Sequence, residues 1–457
     1  MGKYGGIDGG SKYRVGSWSV GPSSMVPSLR DKLATTVTLR LNTVHSELGS
    51  LVSAPVLSLQ RSRSLKFNEM PAVTPIYLDH AATTPVREEV FEAMKPFYGP
   101  RFGNPSSTHR WGREARAALD EARERVGRCL GARADEICFT SGGTEADNLA
   151  ILGAWRALKS EGRTAVATTP IEHKAILGAV HQAAHEGAEE RFLGMTPDGV
   201  IDPASFDVLV DEQVAVCSMM WVNNEIGSIQ AVPELSAKAK ARGVMVHTDA
   251  VQAFGKVTID AQTQQFDFLT ISGHKFGAPK GIGALFIRRG THIEPLMHGG
   301  TQDRGRRPGT ENVAAAVGLA RAAELTLAEC EAHCARIRKL RDKLEAGILA
   351  KIPDAVIHGR GAERAPHIVN ISVPGTDSES LLMALDLRGI AASGGSACQS
   401  GSIDPSHVLT ALGVRPDLAS AAIRMSLGVL TTDQDIDRVI EVLPTLVTKA
   451  RQLAVVE

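Results

Sequence analysis

At 457 residues and 43% hydrophobic composition, the chain can bury more than one sizeable core and has the length of two or three domains. Its 50 basic and 51 acidic residues leave a formal net charge of -1, which excludes the electrostatic footprint of a nucleic-acid binder. No apolar run nears the roughly 20 residues that cross a bilayer. The longest candidates, such as 214–222, have strand length, so a soluble globular protein with small-molecule or protein partners is expected.

Residues 1–69 differ from the rest: Gly and Ser are frequent at the start, basic residues exceed acidic ones, and no long periodic pattern persists. An organellar transit segment has such a composition, but Asp8, Asp31, Glu47 and Glu69 and the Gly-rich opening speak against it. A start placed too far upstream fits better, because Met70 directly precedes Pro71-Ala72-Val73-Thr74-Pro75 and the first strand-like segment, 76–78. The expected compartment is the cytoplasm, or an organelle matrix if 1–69 is a transit peptide.

From Pro75 onward short apolar runs alternate with amphipathic stretches, the pattern of an α/β protein with a mainly parallel sheet. In chain order, helices are expected at 112–130, 145–158, 174–184 and 233–241, and strands at 165–169, 214–220, 244–247, 268–272 and 284–287. A long helical region, 312–352, leads to a second set of elements that includes 369–373 and 421–426. The expected organisation is an extension at 1–69, a large domain at 70–328 and a smaller α+β domain at 329–457, with 70–85 able to pack on the smaller one. The six cysteines, Cys129, Cys138, Cys217, Cys330, Cys334 and Cys398, are too sparse for a disulfide framework and fit a reducing compartment. Cys330, His333 and Cys334 could form a metal cluster, but in a charged helical stretch they read as partly buried helix residues, and no metal site is assigned.

Three segments carry chemistry. In 140–148, Gly142, Gly143 and Thr144 precede a helical pattern, where free backbone N–H groups and the helix dipole favour a phosphate. Gly-rich turns before helices are common, so this signal is weak by itself. Asp249 sits just past an apolar run; alone it reads as a helix N-cap, but a carboxylate there can also hold a pyridine nitrogen protonated. Lys275, in Ser272-Gly273-His274-Lys275, follows an apolar strand and precedes a Gly- and Pro-rich stretch that excludes regular helix. Displayed in that way, a lysine can form a Schiff base with an aldehyde.

Together with Tyr77-Leu78-Asp79-His80-Ala81-Ala82-Thr83-Thr84-Pro85, Asn104-Pro105-Ser106-Ser107, Glu172-His173-Lys174, Val222-Asn223-Asn224-Glu225, Arg306-Arg307-Pro308-Gly309-Thr310-Glu311-Asn312 and Ser396-Ala397-Cys398, these segments resemble the NifS/IscS-type cysteine desulfurases of the class V aminotransferase family. The resemblance covers essentially all of the chain after Met70. It implies the fold type I of pyridoxal-phosphate-dependent transferases. By resemblance, Lys275 holds pyridoxal 5'-phosphate, Asp249 pairs with its ring nitrogen, Gln252 bonds its phenolic oxygen and His173 stacks on the ring. Gly143, Thr144, Ser272 and His274 hold the phosphate, with Thr310 supplied by the second subunit of a homodimer, and Arg424 and Asn224 meet the substrate carboxylate. Read without that resemblance, Arg424 is a surface arginine at a strand edge.

Fold and cofactor do not select a reaction, since the same scaffold serves transaminases, lyases and epimerases. The discriminating residue is Cys398, set in the small-residue run 392–402 with no apolar face to bury it, which points to an exposed nucleophile on a loop at 393–403. The segment Pro405-Ser406-His407-Val408-Leu409 resembles the stretch after the cysteine loop in the long-loop desulfurases. The expected reaction converts L-cysteine to L-alanine, leaving a persulfide on Cys398 for an acceptor protein in iron–sulfur cluster or thio-cofactor biosynthesis. Lys275 then serves as the base at the substrate α-carbon, and His173 moves a proton. The alternatives are another class V enzyme, such as a selenocysteine lyase or aminotransferase, and a non-enzymatic sulfur-relay subunit. Scaffold-binding members end in a segment rich in Ser, Pro, Leu and Trp; 452–457 lacks it, so docking through that tail is not implied.

Overall fold

Short runs of β-branched and small apolar residues form the strands. In a computed structural model that describes residues 74–394 and 405–454, these are β1 (Ile76–Tyr77), β2 (Ile137–Thr140), β3 (Ala165–Thr168), β4 (Glu189–Phe192), β5 (Val214–Ser218), β6 (Met245–Asp249), β7 (Phe268–Ser272), β8 (Gly283–Ile287), β9 (Val356–Ile357), β10 (Ile368–Ser372), β11 (Ile390–Ala391) and β12 (Ala422–Ser426). All described residues belong to one unit, 70–457.

Seven strands make the central sheet in the order β2-β8-β7-β6-β5-β3-β4. Only β8 runs against its neighbours; β7, β6, β5, β3 and β4 pair in parallel. Because β8 is antiparallel to both β2 and β7, β2 points the same way as the parallel set. The carboxyl ends of β2, β3, β5, β6 and β7 therefore share one edge, where open α/β sheets bind their ligands. This is the α/β architecture with a mainly parallel sheet that the alternating pattern predicts.

The sheet is covered on both faces, as parallel sheets require. Ala165 and Ala167 join one buried cluster while Val166, between them, joins the other, and Leu269 and Ile271 alternate with Phe268 in the same way. One layer contains the helix Arg110–Cys129 and the start of the helix Val313–Lys351; the other contains Gly143–Leu158 and Lys174–His185. A third cluster surrounds the sheet β12-β10-β9 and draws on Ile337, Leu340, Leu344 and Ile348 from the distal half of the long helix. The short strand β1 pairs in parallel with β11, so Ile76 and Leu78 pack in this third cluster. The long helix thus serves two cores. Asn312 begins it, its side chain accepting the Ala315 N–H at 3.1 Å.

Several local expectations change. Asp249 lies within β6, not beyond it, and no helix follows; its Oδ1 accepts the Val251 N–H at 2.8 Å in a turn. Polar His247 continues the strand because the sheet satisfies its ring, which meets Ser218 Oγ at 2.8 Å and Thr270 Oγ1 at 3.0 Å, whereas the buried Thr248 hydroxyl makes no hydrogen bond. β2 and β4 are absent from the expected strands: the first has only four residues, and the second is an edge strand whose Glu189, Glu190 and Arg191 hide its pattern. Arg424 is not a surface residue: it is 1% exposed, and β12 pairs it with Asn370 of β10. Cys330 and Cys334 lie one turn apart on the long helix and both direct Sγ to the Gly255 carbonyl, at 3.1 and 3.4 Å. No described helix is long and apolar enough to cross a membrane.

Candidate active site

At the carboxyl edge of the central sheet opens a cleft of about 330 Å³. Strand ends furnish its walls: Gly143 and Thr144 after β2, His173 after β3, Asn224 and Glu225 after β5, Asp249 and Gln252 at and after β6, and Ser272, His274 and Lys275 at and after β7. Arg424 reaches in from β12. Of the residues singled out in the sequence, Thr310 lies exposed on a loop and is not among those lining the cleft, and Cys398 falls outside the described residues.

Lys275 ends a single 3-10 turn that the Gly-rich stretch prevents from continuing as helix. Its Nζ donates to the carbonyls of Ala81 and Ala82 at 2.7 and 2.9 Å, which ties the amine to the segment after β1. Gln252 Nε2 donates to the same Ala81 carbonyl at 2.8 Å, while its Oε1 accepts from His367 Nε2 at 3.0 Å. Asp249 is buried, and desolvation raises its carboxyl above the usual range against the pull of His173 and Lys275. Burial also holds His173 below the usual imidazole value; Asp249 opposes this, and Lys275, His407 and Lys174 add to it. His274 is pushed down to about 4 by burial and by Lys275 and Lys280.

Pyridoxal phosphate fits these groups. A β-carbon on Gly143 would stand 3.3 Å from Val251 Cγ2 and 3.5 Å from Ser272 Cβ, so glycine lets the first turn of its helix close on the space beside Ser272. That turn is anchored by Glu145, which accepts the Ser141 N–H at 2.7 Å and pairs with Arg307 at 2.8 Å. Its N-terminus suits a phosphate. The buried Asp249 carboxyl suits a protonated ring nitrogen, and Lys275 an aldehyde. Arg424 donates from Nη1 to the Asn224 carbonyl and from Nη2 to Asp79 Oδ1, both at 2.9 Å, while its buried Nε–H has no partner. A planar donor set with an N–H to spare suits a carboxylate.

Sequence alone assigns no role to several other residues in and beside the cleft. Asp147, one helical turn beyond Gly143, is 1% exposed, its Oδ1 makes no hydrogen bond and lies 3.6 Å from His247 Nε2, and its carboxyl is held well above the usual range by burial and by Asp249. Glu172 is fully buried, accepting the Met220 N–H at 2.8 Å and the Thr169 hydroxyl at 2.7 Å, and burial pushes its carboxyl up to about 8. Glu225 accepts from Ser406 Oγ, and His407 Nε2 donates to the Glu172 carbonyl at 2.9 Å. Identity alone does not separate such acids and histidines from surface ones, although Asp147, Glu172, Glu225 and His407 all lie in the segments that carry the family resemblance.

An amine-bearing turn, a buried acid and a glycine-opened helix start at one edge of a mainly parallel sheet define a pyridoxal-phosphate enzyme of fold type I. The class-V aminotransferase family matches residues 76–439, and the chain belongs to that family. It is 44% identical over 379 residues to a protein from Dictyoglomus turgidum named cysteine desulfurase IscS, covering 83% of this chain and 96% of that one. It is 45% identical over 380 residues to the Azotobacter vinelandii cysteine desulfurase NifS, covering 83% and 94%. A solved NifS-like protein superposes with a TM-score of 0.77 at 35% identity, over 82% of this chain and 100% of the other.

Proposed function

We propose that this chain takes the sulfur of L-cysteine onto Cys398 and releases L-alanine. The protein is a cysteine desulfurase that uses pyridoxal phosphate, as its relatives in the class-V family do. The observation that carries the proposed residue roles is the convergence of Lys275, Asp249 and His173 from the central sheet with Arg424 from the second sheet on one cleft.

When bound, pyridoxal phosphate supplies an aldehyde that accepts an amine and an electron-poor ring that draws electrons from a neighbouring carbon. Gly143, Thr144, Ser272 and His274 hold its phosphate, and Asp249 keeps its ring nitrogen protonated. Gln252, fixed at both ends by Ala81 and His367, retains a second amide N–H for the phenolic oxygen. Arg424 and Asn224 hold the substrate carboxylate, which orients the Cα–H toward Lys275. Lys275 gives up its carbonyl contacts, takes the α-proton and returns a proton as alanine forms. The Cys398 sulfur bonds the substrate sulfur as the substrate's Cβ–S bond breaks with its electron pair left on carbon, and Cys398 then carries the persulfide to an acceptor protein, in a homodimer whose second subunit brings Thr310 to the phosphate. The small-residue surroundings of Cys398 support a protein acceptor, and the sparse cysteines support a reducing compartment such as the cytoplasm.

Alanine and sulfide formed from L-cysteine plus a reductant test this reading, with wild type and Cys398→Ala both loaded with cofactor. Activity lost only in the variant is expected. Equal activity in both would replace the persulfide mechanism with a direct elimination.

A further inference from the structure

Away from the cleft, on the long helix Val313–Lys351, Cys330 and Cys334 share a single acceptor: Sγ of each donates to the Gly255 carbonyl, at 3.1 and 3.4 Å. Residues four apart on a helix lie on one face, with β-carbons about 5–6 Å apart, and the two thiols also interact with one another. Both residues are partly exposed, and Cys330 lines a cavity of about 220 Å³ formed with residues 254–259. A thiol is a weak donor, so the shared carbonyl holds neither sulfur firmly.

Lys256 adds a charge to this pair. Its Nζ donates to the Phe254 carbonyl at 3.3 Å, it pairs with no carboxylate among the described residues, and both thiols are near enough to act on it. Two thiolates holding a monovalent ion carry one net negative charge, which the ammonium neutralises; a divalent ion on the same pair would leave the ammonium uncompensated. Ligand number points the same way. Structural zinc takes four ligands, and among the described residues no three Cys, His, Asp or Glu side chains are grouped to hold an ion. His333, which lies between the two cysteines in sequence, lines a different cavity with His80 and His367. A pair of soft thiolates with no further ligand favours copper(I).

We infer that Cys330 and Cys334 form a two-coordinate site for a soft monovalent cation of the copper(I) class, with Lys256 as its charge partner. The site lies outside the cleft, and it stands whether or not the residue roles proposed above hold. On uptake both S–H bonds break, the two protons pass to solvent and two sulfur–metal bonds form, with nothing oxidised or reduced. The Gly255 carbonyl gives up both thiol donors as this happens. Cys129 lines the same cavity as Cys330 from the end of another helix, Arg110–Cys129, and serves as the control.

The test uses the cofactor-loaded Cys398→Ala enzyme, in which Cys398 cannot compete, reduced with a phosphine and titrated without oxygen with copper(I) bicinchoninate, whose colour fades as the protein takes the ion. One copper(I) per chain should transfer, with a sulfur-to-metal band appearing in the ultraviolet. Adding Cys330→Ser or Cys334→Ser should weaken uptake by about 100-fold or more, and Lys256→Met by about 10-fold, because losing a ligand costs more than losing a supporting partner. Cys129→Ser should leave uptake within about threefold of the parent, the scatter of a residue that binds nothing. Uptake as tight in either serine variant of the pair as in the parent would overturn the inference. So would its loss in Cys129→Ser, or zinc taken up as tightly as copper(I). Should a variant fail to fold, the wild-type chain decides: copper(I) should protect Cys330 and Cys334 from iodoacetamide, read peptide by peptide, and equal labelling with and without the metal rules the site out.

Discussion

Arg424 and Asp79, 345 residues apart in the chain, form a 2.9 Å ion pair at the wall of the cleft. Asp79 Oδ1 also accepts the Ser393 hydroxyl at 3.0 Å, and an isolated bridge joins Ser393 to Arg424. The pair fixes a buried guanidinium at the wall of the cleft, and its buried Nε–H makes no hydrogen bond.

Arg424→Lys keeps the charge and loses the fork. The variant should retain bound cofactor, while kcat/KM for L-cysteine falls roughly 10- to 100-fold, mainly through KM, as expected for the loss of one charge-assisted bidentate contact. Steady-state kinetics over a range of cysteine concentrations would check it. A change in kcat alone would mean that Arg424 does not hold the ground-state carboxylate.

Glu172 makes stability depend on pH. Its carboxyl rises from 4.5 to about 8 on folding, first through burial and with a smaller push from Asp249, so the folded chain binds that proton more tightly than the unfolded one. The stabilisation is complete below 4.5 and is lost as pH rises through about 8. Across that window it amounts to something on the order of 5 kcal/mol. Glu172→Gln keeps the Oε1 acceptor for Met220 and Thr169 and removes the titration. Thermal midpoints should decline with pH between these limits in wild type and much less in the variant; parallel curves would exclude Glu172 as the source.

Gly428 tests the packing behind the site. A β-carbon there would fall 2.3 Å from the ring of buried His80, in the segment that holds the Lys275 amine through Ala81 and Ala82. Gly428→Ala should cost about 2 kcal/mol of stability by overpacking. Adding His80→Ala should recover part of that loss, since the two sites share one space. Thermal unfolding of the two single variants and the double variant would measure the coupling; strict additivity would show that the ring moves aside freely.

Much of the candidate site was legible because its signals are local. Lys275 stands in a turn that glycine and proline keep from becoming helix, and Gly143 opens a helix; both follow from a few neighbouring residues. The helix from Val313 to Lys351 was readable for the same reason, its periodic pattern ending at Asn312 and Ile352. Asp249 was singled out as a candidate, but its place inside the strand was not, because His247 is made compatible with burial by Ser218 and Thr270 on neighbouring strands.

The sequence by itself determined the alternation of strands and helices, and so the mainly parallel sheet, together with the motifs that mark a class-V enzyme. Period, caps and turn residues act over a few positions and are written where they act. The tertiary structure alone decided which polar groups are buried and what they face. Arg424 became a buried partner of Asp79, Gln252 was clamped between Ala81 and His367, Asp147 and His407 were drawn into the cleft, and Glu172 was buried beneath Met220 and Thr169. These relations arise where the edge of one sheet meets strands of another, and a side chain's charge and tautomer depend on groups that the chain brings near only when it folds.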